Sequence, residues 1–306
     1  MHPAVTRENT RLGIVAGFIA YSVWGLVPIF FKQIAEVPAV EIIAHRVVWA
    51  MLLMTALLGF GRGFADAWRV ARIPAQLARI ALASALVIIN WLTFVWGVNN
   101  GHILETSLGY FILPLFNVAL GVLVLKERLR PLQWLAVLLA STGVTIEAVR
   151  AGGLPWIALV LAGTFGIYGL LRKRLPLDAA SGLFLETMCM TPLALAWLGW
   201  LAFSGQSHFG GGTGHTTARD LMLIATGLVT AVPLLLFAVA ARRLPLTMLG
   251  FLQYLAPSIA FLIAVFVYHE PLNPTRTLAF ATIWTGLAVY TFDLFRSAAG
   301  RAASTS

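Results

Sequence analysis

The sequence predicts an all-α polytopic membrane protein whose ten transmembrane helices form two inverted five-helix repeats. Three observations predict it. Hydrophobic residues make up 59% of the 306 residues and charged residues only 11%, against about 25% charged in a soluble domain. One buried core cannot absorb so many apolar side chains, but a bilayer can. Apolar runs of spanning length recur along the chain, and its two halves repeat each other at a nearly fixed offset. A net charge of +9 in a soluble chain would suggest nucleic acid. Here the apolar runs assign the charge to loops at a membrane surface. The single cysteine, Cys189, lies inside an apolar run, which excludes a disulfide framework or a cysteine-based zinc site.

A helix needs about 20 mainly apolar residues to cross the hydrocarbon core. Breaks at clusters of charge, proline and glycine give ten candidate spans: 12–31, 40–60, 79–98, 103–125, 132–149, 155–171, 179–203, 220–241, 247–268 and 275–295. Most connections are short, so successive helices pack antiparallel. Segment 61–78, with its arginines, is long enough for a short amphipathic interfacial helix. Segment 204–219, with Gly210, Gly211, Gly212 and Gly214, reads as a flexible loop. It is no phosphate cradle, because no Lys-Ser or Lys-Thr pair follows the glycines. The first apolar run has full spanning length and no small-residue cleavage site follows it, so it reads as the first helix of the mature protein. Residues 1–11 and 296–306 are tails, the second expected to be disordered.

Loop charge sets the orientation. Of the 21 lysines and arginines, sixteen fall on one side when loops alternate. They include Arg7, Arg11, Arg62, Arg128, Arg172, Lys173, Arg174, Arg242 and Arg243. Four fall on the other (Lys32, Arg150, Arg219, Arg276), and Arg46 lies within the second span. The rich side is cytoplasmic, which places both termini inside.

Slid against itself by 143 residues, the chain matches Pro114 to Pro257, Glu127 to Glu270, Leu129 to Leu272, Pro131 to Pro274 and Gly143 to Gly286. Apolar matches mean little in such a composition. An E-x-L-x-P pair at one offset, with proline and glycine matches on either side, is much harder to obtain by chance. Nearer the start the offset is 141, matching Gly25 to Gly166 and Lys32 to Lys173. The repeats therefore cover 12–149 and 155–295. Each has an odd number of spans, so they point in opposite directions. Inverted repeats with a site between them recur in secondary transporters.

The segments WGLVPIFFKQI (24–34), EIIAHRVVWA (41–50), NWLTFVWGVNNGHILETSLGYFILPLFNVALGVLVLKERLRPLQWLAV (90–137) and GFLQYLAPSIAFLIAVFVYHEPL (250–272) resemble the RarD branch of the EamA transporters, within the drug/metabolite transporter superfamily. The resemblance covers roughly residues 11–295. It implies the ten-helix EamA/DMT fold and an inner-membrane permease that exports small metabolites or drugs.

Ionisable residues inside a membrane are costly and usually functional. The second span carries Glu41, His45 and Arg46. Glu41 and His45 are four apart and share a helix face. One reading is a charged vestibule, with Glu41 or His45 taking a proton and Arg46 meeting a carboxylate. The other is a structural ion pair near the interface. Glu186 lies about 10 Å into the seventh span at 1.5 Å per residue, and Glu41 shifted by 145 lands on it, so the repeat places one carboxylate near each mouth. Proton coupling and pairing with a neighbouring group are both open. Asn90 and Asn117 are candidates for substrate contact or for helix–helix bonding.

Trp24, Trp91, Tyr110, Tyr168, Gln253 and Tyr254 lie near the repeat interface. Aromatic walls with a few polar groups suit a flat organic substrate, while Trp156 and Trp200 read as an interfacial belt. Pro114 and Pro257 are repeat mates and candidate helix breaks or hinges. Gly13 and Gly17 read as close helix packing. Glu127 and Glu270 sit at helix ends, where a structural role in the hairpins is the expectation.

Enzyme signatures fail. His269-Glu270 begins a zincin-like string, but Asn273 stands where the second histidine belongs and Pro271 breaks the helix. The sequence thus predicts a secondary transporter with a small-molecule substrate, lipid neighbours and protons as the candidate coupling ion. No cofactor, metal or nucleic acid is expected. The alternatives are a membrane enzyme and an accessory or sensor protein without transport activity.

Overall fold

A computed structural model describes residues 7–59, 63–100, 102–150, 152, 156–211, 216–267, 269 and 274–303. Helices in chain order are α1 (Arg7–Lys32), α2 (Ala39–Gly59), α3 (Gly63–Ala71), α4 (Pro74–Asn99), α5 (Ile103–Leu123) and α6 (Pro131–Arg150). There follow α7 (Trp156–Arg174), α8 (Ala179–Phe203), α9 (Thr217–Arg243), α10 (Leu246–Gln253), α11 (Leu255–Phe266) and α12 (Pro274–Ala303). Ten spans among the described residues are long and apolar enough to cross a membrane.

Helices are the expected solution in lipid, where each backbone polar group must be satisfied within its own segment. Hydroxyls within the spans follow the same rule. Thr55, Ser84, Thr142, Thr164, Thr191 and Thr282 each donate to the carbonyl four residues earlier. On α1, Leu12, Val15, Phe18 and Ile19 are exposed while Ala16, Ala20 and Tyr21 are buried. Large apolar side chains on the outer face suit a lipid-facing surface.

Several expectations change in detail. Segment 61–78 does hold a short helix, α3. The ninth span is not continuous over 247–268 but breaks at Tyr254, three residues before Pro257, where α10 gives way to α11. Its repeat counterpart α5 runs unbroken through Pro114. The C-terminal tail does not begin at 296; α12 continues to Ala303. The first part of segment 204–219 is anchored, as shown below.

The chain divides into two compact units, one of residues 1–96 and 167–244 and the other of 97–166 and 245–306. Each draws on both sequence repeats. In the first unit α1 packs on α9, and α2 packs on α8 and α9, with α3 beside α8. Gly13 lies against Arg243 at the end of α9 and Leu244 just past it, the close-packing role expected of it.

In the second unit α5 packs on α10 and α6 on α12. Its core gathers Leu108, Phe111, Val144, Tyr254, Phe280 and Ile283. Glu127 caps α10, accepting from the Leu246 and Thr247 amides at 2.6 and 2.9 Å. That places a negative charge at a helix N-terminus, where it is favoured. Its task is structural, but it holds α10 and not only the hairpin that follows α5. Glu270 lies outside the described residues.

Candidate functional site

Glu186, about two turns into α8, is buried at 1% exposure. The Tyr168 hydroxyl donates to its Oε2 at 3.0 Å, and Arg172 Nη1 to its Oε1 at 3.0 Å. Tyr168 and Arg172 are four apart on α7, so they present one face to α8. Arg172 also donates to the Ala179 carbonyl at 3.0 Å. Counted from the sequence as a loop charge, Arg172 is in fact 2% exposed. The signal that could have found it is its i, i+4 spacing from Tyr168. Removing one partner of such a pair costs about 3–5 kcal/mol, because a buried charge is left alone.

A narrow cavity of ≈ 10 Å³, about the room one water needs, lies beside Glu186 within the first unit. Arg46, Trp91, Tyr168, Thr187 and Thr230 line it with aliphatic side chains of α2, α4, α8 and α9. Arg46 Nε donates to Thr230 Oγ1 at 2.9 Å. Its guanidinium lies over the Trp91 ring, 4.4 Å from the centroid, and 5.4 Å from that of Phe31. A desolvated cation–π contact contributes about 2 kcal/mol. Thr187 and Thr230 were not anticipated as lining groups, since a single threonine in an apolar run carries no signal.

The three ionisable groups of α2 do not form one cluster. Glu41, fully buried, turns to the 204–211 loop. It accepts from the His208 amide at 2.7 Å and pairs with His208 Nδ1 at 2.8 Å, with Ser207 Oγ at 3.4 Å. Arg219 Nε donates to the His208 carbonyl at 3.1 Å and the Gly210 amide to Asp220 at 3.2 Å, so this stretch is pinned at both ends. His45 accepts from Trp49 Nε1 at 3.2 Å and lies tilted against Phe209, 4.9 Å between centroids. Only Arg46 reaches the cavity.

The aromatic candidates also separate. In the first unit Trp24 lies 5.5 Å from Tyr21 and 5.8 Å from Phe237, and Phe237 stacks on Tyr168 at 5.9 Å. This column leads to the ring that holds Glu186. Asn90 is buried on α4 of the same unit. In the second unit Tyr110 is 43% exposed, whereas Tyr254 is buried in the core with its hydroxyl donating to the Phe111 carbonyl at 3.3 Å. The repeat mate of Tyr254 at the 143 offset is Phe111, not Tyr110. Asn117 donates to Gln253 at 2.5 Å, both buried. Pro114 presents its carbonyl to Gly250 of α10, and Pro257 sits just past the break at Tyr254.

Ten spans of membrane-crossing length among the described residues, with buried paired charges in the first unit, fit a multi-pass membrane permease. The EamA-like transporter family matches residues 11–147. An uncharacterized transporter of Pseudomonas aeruginosa is 50% identical over 290 residues, 94% of this chain and 96% of that protein. Protein RarD of Escherichia coli is 43% identical over 286 residues, 94% and 96% of the two chains. A further relative, called chloramphenicol-sensitive protein RarD in Pseudomonas aeruginosa, is 32% identical over 93% of this chain and 95% of its own. A solved crystal structure shares the fold, with a TM-score of 0.67 at 19% identity over 93% of this chain and 98% of that one. The chain belongs to the EamA-like transporter family, as a RarD-type permease of the bacterial inner membrane.

Proposed function

We propose that this permease is a secondary transporter that exports a small metabolite or drug-like molecule by alternating access, using the cavity of the first unit. The observation that carries this reading is Arg46 held on Trp91 and Thr230 beside a charge-compensated Glu186. Intramembrane charge is costly, and such residues mark substrate or ion pathways. The proposal includes both termini on the cytoplasmic side, from the loop charge bias. It also includes an inverted relation between the 12–149 and 155–295 repeats, and the Tyr254–Pro257 break as a candidate hinge. Glu41 and Glu186 serve as candidate proton carriers, each already paired with a group able to exchange a hydrogen bond. Trp24 and Asn90 belong to the same unit as the cavity. Tyr110, Tyr254, Asn117 and Gln253 stand as candidate substrate contacts of the second unit.

A solute screen in proteoliposomes, with and without a pH gradient, tests the reading. Solute-specific flux that depends on the protein is the expected result. Absence of flux for every solute, with folded protein in the vesicles, would return the enzyme and accessory readings to the front.

A further inference from the structure

We infer that the corner between α3 and α4 binds an anionic phospholipid, with the headgroup on Arg69 and Arg72 and the acyl chains along Trp68, Ile73 and Leu77. The inference goes beyond the transport reading and needs neither flux nor a fixed orientation, since it concerns whichever leaflet α3 faces. α3 lies between two apolar spans, Ala39–Gly59 and Pro74–Gly97. Its nine residues reach about 13 Å, too short to cross the hydrocarbon core, so it lies at the membrane surface. Its inner face is fixed on α8. Phe64 meets Phe184 edge-on at 5.1 Å, Ser181 Oγ donates to the Gly63 carbonyl at 3.3 Å, and Ala67 is fully buried. That anchoring sets the rotation of the helix and turns Trp68 and Arg69 outward.

The outer face sets cations beside bulky apolar groups. The Arg72 amide donates to the Trp68 carbonyl at 3.1 Å, so Arg72 sits one turn above Trp68 and, three residues on, beside Arg69. The Leu77 amide donates to the Ile73 carbonyl at 3.0 Å and aligns those two side chains in the same way at the start of α4. Trp68 and Ile73 are each 48% exposed and Leu77 41%, and tryptophan favours the membrane interface. Arg69, Arg72 and Arg79 are exposed. Asp66, paired with Arg69, is the one acidic residue of 63–79. Three arginines against one aspartate leave an excess of two positive charges. Arg79 lies inside the apolar span of α4, where an exposed guanidinium is costly unless it reaches a headgroup. A choline headgroup would add a like charge to this surface. A free anion would leave the three apolar side chains uncovered. A phosphodiester takes the arginine fork bidentately and its attached chains cover the apolar row, so an anionic amphiphile fits both halves of the surface.

The test titrates the purified full chain in detergent with phosphatidylglycerol or with phosphatidylcholine of the same acyl chains. Native mass spectrometry reads the affinity for the first bound lipid. Phosphatidylglycerol should bind about 25-fold more tightly, from two excess charges at about fivefold each. Arg72→Gln should reduce that preference to about fivefold, and Arg69→Gln with Arg72→Gln should bring it near unity. Arg128→Gln, which removes an exposed charge from the loop before α6, should leave it unchanged. Trp68→Ala should weaken both lipids alike, because it removes apolar contact and no charge. Soluble glycerophosphoglycerol should not displace the lipid. All four substituted side chains are exposed, so folding does not confound the comparison. Equal binding of the two lipids, a preference that survives the double substitution, or an equal loss in Arg128→Gln would each overturn the proposal. So would unchanged binding of both lipids in Trp68→Ala, or displacement by the soluble headgroup, which would leave a site for a free anion only.

Discussion

Gly143 of α6 and Gly286 of α12 exchange partners: a Cβ on Gly143 would stand 2.7 Å from the Ala279 carbonyl oxygen, and one on Gly286 2.9 Å from that of Ala136. Both glycines and both alanines are repeat mates at the 143 offset. Parallel helices related by a two-fold axis would set Gly143 against Gly286. The observed exchange requires the mates to run antiparallel, as an inverted repeat demands. Lys126 and His269, mates at the same offset, both have a left-handed backbone, with φ of 58° and 53°. A left-handed non-glycine residue is uncommon, so its recurrence at matched positions gives the repeat independent support.

The α6–α12 contact predicts the effect of adding one methyl group. Gly143→Ala and Gly286→Ala each press a carbon onto a backbone carbonyl, which cannot swing aside. Each should lower stability by about 1–3 kcal/mol. Gly163, with nothing within 4 Å of its Cβ position, should tolerate alanine and gain up to about 1 kcal/mol from helix propensity. Thermal unfolding of the purified protein in detergent compares the three. Equal effects would mean the close approach carries no energetic weight.

Arg172 and Glu186 predict strong non-additivity. Arg172→Leu leaves a buried carboxylate without its counter-charge and should cost about 3–5 kcal/mol, whereas Arg172→Leu with Glu186→Leu should recover most of that loss. Stability of the single and double variants forms the cycle. Additive losses would show that the two side chains do not share their energy.

Proton coupling predicts a separation of driven from passive transport. If Glu41 and Glu186 carry protons, Glu41→Gln and Glu186→Gln should each abolish flux driven by a pH gradient while exchange persists. Flux in vesicles with imposed and collapsed gradients distinguishes the two. Unaltered gradient dependence in both variants would leave Glu41 as an anchor for the 204–211 loop and Glu186 as the partner of Arg172.

Asp178, at the N-cap of α8 outside the spans, predicts a pH dependence of stability. Partial burial pushes its carboxyl pKa up. The Ser181 hydroxyl, the Ser181 and Ala180 amides and Arg242 outweigh that effect and hold it below its ordinary value. A depressed native pKa means stability present above the unfolded aspartate value of about 3.9 and lost as pH falls through the lower native value. Asp178→Ala should therefore cost about 1 kcal/mol at neutral pH, as loss of a helix cap does. The gap to wild type should narrow below about pH 4. A gap that stays constant with pH in thermal unfolding would assign the cap no charge component.

The loop charge bias predicts topology. With Cys189 replaced, Gln206→Cys should react with an impermeant thiol reagent on intact cells, and Ser304→Cys only after permeabilisation. Gln206 is exposed beside the end of α8, so lack of access does not confound it. External labelling at both positions would reject the three spans between them, and with them the ten-span topology.

The sequence by itself determined the number of spans, because hydropathy over about 20 residues is a local property of the chain. It also carried the E-x-L-x-P repeat and the site of α3 in the arginine-rich linker. Tertiary structure alone decided which polar groups meet. Arg172 turns inward to Glu186, Glu41 turns to His208, and Arg46 leaves both for Trp91 and Thr230. It also decided that α5 runs straight through Pro114 while its counterpart breaks. These outcomes depend on how far each helix is rotated about its axis. In a soluble helix an apolar stripe reveals that rotation. Here lipid and protein core are both apolar, every face of a span reads alike, and only the packing of neighbouring helices selects the face on which a charge finds its partner.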